Sequence, residues 1–221
     1  MSSNNSNNSW LPFLTSWYVL WYLLSSFLWH PFSLFVCAWI NLYLLTSYLI
    51  ELSRCGFRSR LAFCLFVGTE FIVFFTLLVT VAWYNTPEVT KLSHYGGFPA
   101  INTVVLLSSS ITASAFHHSF GTARGFFWLK ITLMLGFVFI VLQYFEWRQC
   151  CLNLVDSNYA SAALCLIGMH FIHVLAGFTA LTYIYLWYDR FDSFHYPELV
   201  VWYWHFVDYV WLLVYLFVYV M

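Results

Sequence analysis

The chain has 221 residues, of which 62% are apolar, 24% aromatic and 8% charged. A soluble domain carries about 25% charged residues, so this composition cannot clothe a water-facing surface and places the protein in a bilayer. Eight basic residues against nine acidic ones, a formal charge of -1, remove any electrostatic case for nucleic-acid binding.

The opening MSSNNSNNS is polar and uncharged, and the apolar run behind it lacks both a basic leader and a small-residue cleavage signal. It reads as neither a secretory signal nor an Arg-rich transit peptide. Behind a polar tail over 1–11, seven apolar segments follow at 12–29, 32–52, 61–84, 99–117, 126–147, 159–187 and 199–220. Each is comparable to the roughly 17 to 25 residues that cross about 30 Å of hydrocarbon. Continuous apolarity without period-2 alternation selects helices over barrel strands, because a helix pairs every backbone group within its own segment. The expected fold is an all-helical bundle of seven transmembrane helices. The short polar stretch 53–60 divides it into a two-helix arm, 12–52, and a five-helix arm, 61–221.

The fourth segment is rich in Asn102, Thr103, Ser108, Ser109, Ser110, Thr112 and Ser114. Small hydroxyl residues let helices approach closely and bond across the contact, so this helix is expected to face protein more than lipid. Orientation follows from loop charge. Arg54, Arg58, Arg60, Arg124, Lys130 and Arg190 fall on one side, with Lys91 and Arg148 on the other. The amino terminus shares the basic side, facing the cytoplasm of a bacterium or the matrix of a mitochondrion. Cys37, Cys55, Cys64, Cys150, Cys151 and Cys165 form no C-x-x-C pair and read as free packing residues; for adjacent Cys150 and Cys151 a bond to another chain is the alternative.

A charge at the bilayer centre costs about 2.5 to 3.5 kcal/mol on insertion scales, so each intramembrane ionisable group needs a reason. Glu70, in CLFVGTEFIVFF, has no Lys or Arg within a helical turn. It is either a protonated acid bonded to a neighbouring helix or a proton-exchanging carboxyl beside a proton pathway or a lipid-filled cleft. His170 and His173 stand at i,i+3 in GMHFIHVLAG, with Gly177 on the same face. They are metal-ligand types, yet one helical turn supplies at most two ligands, and packing beside a glycine that admits a neighbouring helix is the plainer role.

His205 and Asp208 repeat the spacing in WYWHFVDYVWLLVY, where Asp208 is expected to accept from a histidine or from the indoles of Trp204 or Trp211 as a satisfied buried pair. Adjacent His117 and His118 point about 100° apart on a helix and read as interfacial anchors or subunit contacts. Glu146 is expected to reach water or pair with Arg148. Haem-attachment, copper-pair, Walker, nucleophile-elbow and H-E-x-x-H motifs are all missing from the sequence.

These stretches together resemble subunit III of the haem-copper terminal oxidases of the cytochrome c oxidase type. The resemblance rests on WYWHFVDYVWLLVY with His205 and Asp208, and on FPAINTVVLLSSS followed by SAFHHS with Asn102, Thr103, His117 and His118. It also rests on LGFVFIVLQYFEW with Gln143 and Glu146, on GMHFIHVLAG with Gly168, His170, His173 and Gly177, and on the placement of Glu70. It implies a two-helix arm and a five-helix arm arranged as a V around phospholipids. Haems and copper belong, by the same resemblance, to partner subunits I and II, with no cofactor or metal in this chain, further accessory subunits around it, and Glu70 facing the cleft in support of proton uptake and durable turnover. Arg60 and Arg190 are the lipid-headgroup candidates. The loop between the second and third helices is shorter than the family's, and Asn85 stands where a histidine is common. A mitochondrial inner-membrane location is expected, with a bacterial plasma membrane as the alternative. The competing reading is a free-standing membrane haem protein using His170, His173 and His205 as ligands; a seven-helix transporter or receptor is a third.

Overall fold

The computed structural model describes residues 11–27, 31–55, 60–85, 92–93, 95–150, 152–188 and 195–221. Seven helices follow in order: α1 (Leu11–Phe27), α2 (Pro31–Cys55), α3 (Arg60–Tyr84), α4 (Phe98–His118), α5 (Ala123–Gln149), α6 (Asn158–Leu186) and α7 (His195–Val214), the last continuing as a π-helical turn over Tyr215–Val220. No strand occurs among the described residues. The protein is an all-α membrane protein. Among the described residues, five helices (α3 to α6, and α7 with its π turn) are long and apolar enough to cross a bilayer.

The chain divides into two compact units, Met1–Arg58 and Ser59–Met221. In the first, α1 lies against α2. Tyr18 donates its hydroxyl hydrogen to the Cys37 carbonyl at 3.2 Å, and Ser25, Cys37 and Leu44 are buried among the described residues of this unit. The stretch expected to be a loop at 53–60 is helical at both edges, because α2 runs on to Cys55 and α3 already begins at Arg60.

In the second unit α7 is the central helix, half buried, whereas α3 buries only 11% of its apolar window. The sequence sets this difference. The buried face of α7 runs through Leu199, Val200, Trp204, Val207, Asp208 and Trp211, while α3 presents Leu61, Leu65, Ile72, Phe75 and Trp83 outward as hydrocarbon-facing surface. Helix starts are set by local chemistry: Thr122 caps α5 by accepting from Gly125 N–H, and Ser157 caps α6 by accepting from Ala160 N–H. The α4–α5 turn needs Gly121 at φ +79°, and that glycine's N–H donates to Tyr188 Oη at 3.0 Å, pinning the turn to the end of α6.

One face of the hydroxyl-rich α4 packs on protein, while Ile101, Val104 and Ile111 point outward, so the helix does not face protein more than its surroundings. Its Thr112 meets Thr132 of α5 at 2.8 Å, and its Ser109 and Thr103 accept from the indoles of Trp204 and Trp211. Trp204 is wedged between two glycines: a Cβ on Gly177 would stand 2.9 Å from its ring, and one on Gly136 3.2 Å. Cys37 is packed, but Cys64 and Cys165 are exposed and Cys150 is half-buried; all four are free thiols. The sequence view of the cysteines as packing residues therefore fails for Cys64 and Cys165, which face outward from α3 and α6.

Candidate functional site

Among the described residues of the five-helix unit, three clusters form around the carboxyls Glu70, Glu146 and Asp208. The first joins α3 to α6: Glu70 Oε2 lies 3.1 Å from His173 Nε2, and the other ring nitrogen, Nδ1, lies 2.8 Å from the Met169 carbonyl. A carbonyl only accepts, so Nδ1 carries a hydrogen. A single hydrogen then sits between Nε2 and Oε2, as carboxylic acid on neutral imidazole or as imidazolium on carboxylate. The heavy-atom geometry serves both states. Phe74 touches the imidazole edge-on at 4.9 Å and Tyr203 stacks over it at 6.4 Å, fixing its plane. The pair is part-exposed, 26% for the Glu70 side chain and 12% for His173.

The second cluster lies at the other end of α5. Glu146 neither reaches water nor pairs with Arg148 as expected; it is 5% exposed and ringed by neutral donors. Tyr219 (2.6 Å) and Ser93 (3.4 Å) donate to Oε1, while Gln143 (3.2 Å) and Asn102 (3.5 Å) donate to Oε2. The cause is helical spacing: Gln143 lies one turn before Glu146 on the same face, and the π turn carries Tyr219 onto that face from α7. Tyr159 fastens the turn by donating to the Val218 carbonyl at 2.8 Å. Ser93 and Tyr219 were not signalled by any motif, since both come from chain-distant segments.

The third cluster lies between α4 and α7. His205 Nδ1 is 2.8 Å from Ser110 Oγ, and Nε2 is 3.3 Å from Ser114 Oγ. Asp208 is 1% exposed, and its nearer oxygen stands 3.9 Å from His205 Nδ1, beyond hydrogen-bond reach. Neither carboxyl oxygen has a hydrogen-bond partner. The expected satisfied pair is thus absent: the indoles of Trp204 and Trp211 donate to Ser109 and Thr103 of α4 instead.

His170 is buried with Nε2 donating to the Val207 carbonyl at 3.2 Å and its ring 4.9 Å from that of Trp211. His170, His173 and His205 therefore turn to three different partners, an α7 carbonyl, an α3 carboxyl and α4 hydroxyls. Among the described residues no group of three His, Cys, Asp or Glu is placed to hold a metal ion. His117 and His118, at the C-terminal turn of α4, do meet each other, edge-to-face at 5.3 Å.

Arg60 donates to Glu198 at 2.8 Å, tying the starts of α3 and α7, so its guanidinium, 60% exposed, is partly committed to a protein partner. Arg190 lies outside the described residues. Two apolar grooves follow the α3–α7 seam. One, of about 170 Å³, lies near the Arg60 end of α3 and is lined by Phe63, Cys64, Val67 and Trp202. The other, of about 540 Å³, includes Phe71, Phe75, Trp83, Leu213 and Phe217.

Residues 52–221 match the family model described as cytochrome c oxidase subunit III. Among relatives, the cytochrome c oxidase subunit 3 of Gallus gallus is 35% identical over 131 residues, covering 55% of this chain and 49% of that protein. That of Loxodonta africana is 38% identical over 131 residues, with the same coverage. The Pisaster ochraceus protein of that name is 33% identical over 180 residues, 72% of this chain and 68% of its own length. The chain spans about half the length of most of these curated relatives.

Proposed function

Because the chain belongs to the cytochrome c oxidase subunit III family, we propose that it is a non-redox core subunit of a respiratory oxidase that passes electrons from cytochrome c to O2 and couples this to proton pumping. Haems and copper reside in subunits I and II, against which this chain packs together with accessory subunits. Its part is to support proton uptake, lipid binding and the stability of the catalytic subunit. It lies in the mitochondrial inner membrane, with the amino terminus and the Arg60, Arg124 and Lys130 side towards the matrix and the carboxy terminus in the intermembrane space. The segments 12–52 and 61–221 are its two-helix and five-helix arms. The grooves along α3 support the lipid role, since membrane-depth surface of this chemistry is satisfied by acyl chains.

The Glu70–His173 pair is the observation that carries the reading. Because the Met169 carbonyl holds Nδ1–H in place, the pair accommodates one mobile hydrogen without moving a heavy atom, as a proton-exchanging site requires. Glu70→Gln keeps a neutral donor for His173 Nε2 but exchanges no proton. In the purified oxidase this variant is expected to assemble normally and to lose proton-uptake rate or turnover lifetime, while a hydrophobic carbodiimide labels Glu70 in the parent complex. Parent-like uptake and lifetime across pH in the variant would reduce Glu70 to a structural hydrogen-bond donor.

A further inference from the structure

Four tyrosines of the five-helix unit commit their hydroxyl hydrogens inside it: Tyr159 to the Val218 carbonyl, Tyr188 to the Thr122 carbonyl, Tyr215 to the Tyr95 carbonyl and Tyr219 to Glu146. Tyr209 does not. It is 64% exposed and has no hydrogen bond or ring contact among the described residues. It stands fifteenth in the 26 residues of His195–Val220, about 15 Å or more from either end of the span at roughly 1.5 Å per residue. Its hydroxyl therefore stays within the hydrocarbon, short of the interface where a tyrosine finds water.

The same face of α7 carries His205 one turn earlier, its side chain 22% exposed, and Leu216 two turns later, 45% exposed. His205 is already paired. Ser114 Oγ donates to the Ser110 carbonyl at 3.1 Å, so it accepts from His205 Nε2–H at 3.3 Å. That leaves Nδ1 to accept from Ser110 Oγ at 2.8 Å. Asp208 adjoins Tyr209 in sequence but is 1% exposed, on the buried side of the helix. What this face lacks is a single acceptor for the Tyr209 hydrogen.

We propose that the α7 face around Tyr209 is a protein interface, occupied by a transmembrane helix that presents a hydrogen-bond acceptor (a carboxylate, an amide oxygen or a hydroxyl) at mid-membrane depth. That helix belongs to another oxidase subunit, which rests on the complex membership proposed above. Lipid does not fit the chemistry: an acyl chain has no acceptor at this depth, whereas a helix that brings one satisfies the phenol. The large groove along α3 is different, since Phe71, Phe75 and Leu213 there ask only for hydrocarbon. A tyrosine also suits the centre of an interface, because it offers a large, rigid contact surface together with one directional donor.

The test tags the intact oxidase and the isolated full chain with a lipid-soluble carbene precursor and locates the tags by mass spectrometry. Relative to the tagging of the whole chain, Tyr209 is expected to be tagged in the isolated chain and to lose its tag in the oxidase. Tyr209→Phe, which keeps the ring and removes the donor, is expected to raise release of this chain from the haem-bearing subunits in detergent by roughly threefold to tenfold. Equal tagging of Tyr209 in the two preparations overturns the proposal: high in both assigns the face to lipid, low in both to this chain or a second copy of it. Loss of the tag with parent-like release of Tyr209→Phe overturns the hydrogen-bonded partner. A chain that does not copurify with haem takes the oxidase reading down as well, and the missing haem tells that result from the others.

Discussion

At the residue scale, glycines decide where aromatic mass can sit. Trp204 contacts α5 and α6 through Gly136 and Gly177 and bonds α4 through its indole N–H, so one side chain organises three neighbouring helices. Any Cβ at Gly177 enters the ring's van der Waals shell. Gly177→Leu is therefore expected to push Trp204 off Ser109 and destabilise the subunit by about 1 to 3 kcal/mol, read as a lowered midpoint for loss of this subunit from the oxidase on heating, while Gly68→Ala, where nothing lies within 4 Å, leaves that midpoint unchanged. The sequence marked Gly177 as a point of close approach because it shares a helical face with His170 and His173. It gave no sign that an indole would fill the space, since the partner lies on another helix.

At the scale of elements, the carboxy-terminal π turn is a fastening device. Tyr219 reaches Glu146 because this turn follows α7, and Tyr159 clamps the turn from α6. The Glu146 network binds α4, α5 and the end of α7 through Asn102, Gln143 and Tyr219. Tyr219→Phe removes one of four donors and is expected to cost about 1 to 2 kcal/mol. Glu146→Leu strands all four and is expected to cost several-fold more, whereas Glu146→Gln is tolerated because the Tyr219 and Ser93 hydroxyls accept from the new amide. Subunit retention against rising detergent concentration ranks the three variants. Element positions were legible from apolar run length: the segments read at 61–84 and 159–187 are helices at Arg60–Tyr84 and Asn158–Leu186. The network was not, because Ser93 and Tyr219 are ordinary residues whose role exists once three helices converge.

At the scale of the whole molecule, the three intramembrane histidines of α6 and α7, His170, His173 and His205, turn to separate partners. Three buried or half-buried histidines engage an acid, a carbonyl and two hydroxyls on different helices, so no pair shares an open coordination position. The isolated subunit in detergent is accordingly expected to show no Soret band and substoichiometric iron and copper by elemental analysis. A haem bound at one equivalent would restore the competing reading of a free-standing haem protein.

Composition and run length by themselves determined that this is a helical membrane protein, because a bilayer tolerates so few backbone solutions that hydrophobic length alone selects one. Ordered motifs in the chain pointed to its family. Only the tertiary structure decided which polar group meets which: that Glu70 shares a hydrogen with His173, that Glu146 is ringed by donors, and that Asp208 stands without one. Hydrogen bonds act over about 3 Å, and inside a membrane the partners of a polar side chain are chosen by helix rotation and depth, quantities that a linear pattern of apolar residues leaves free.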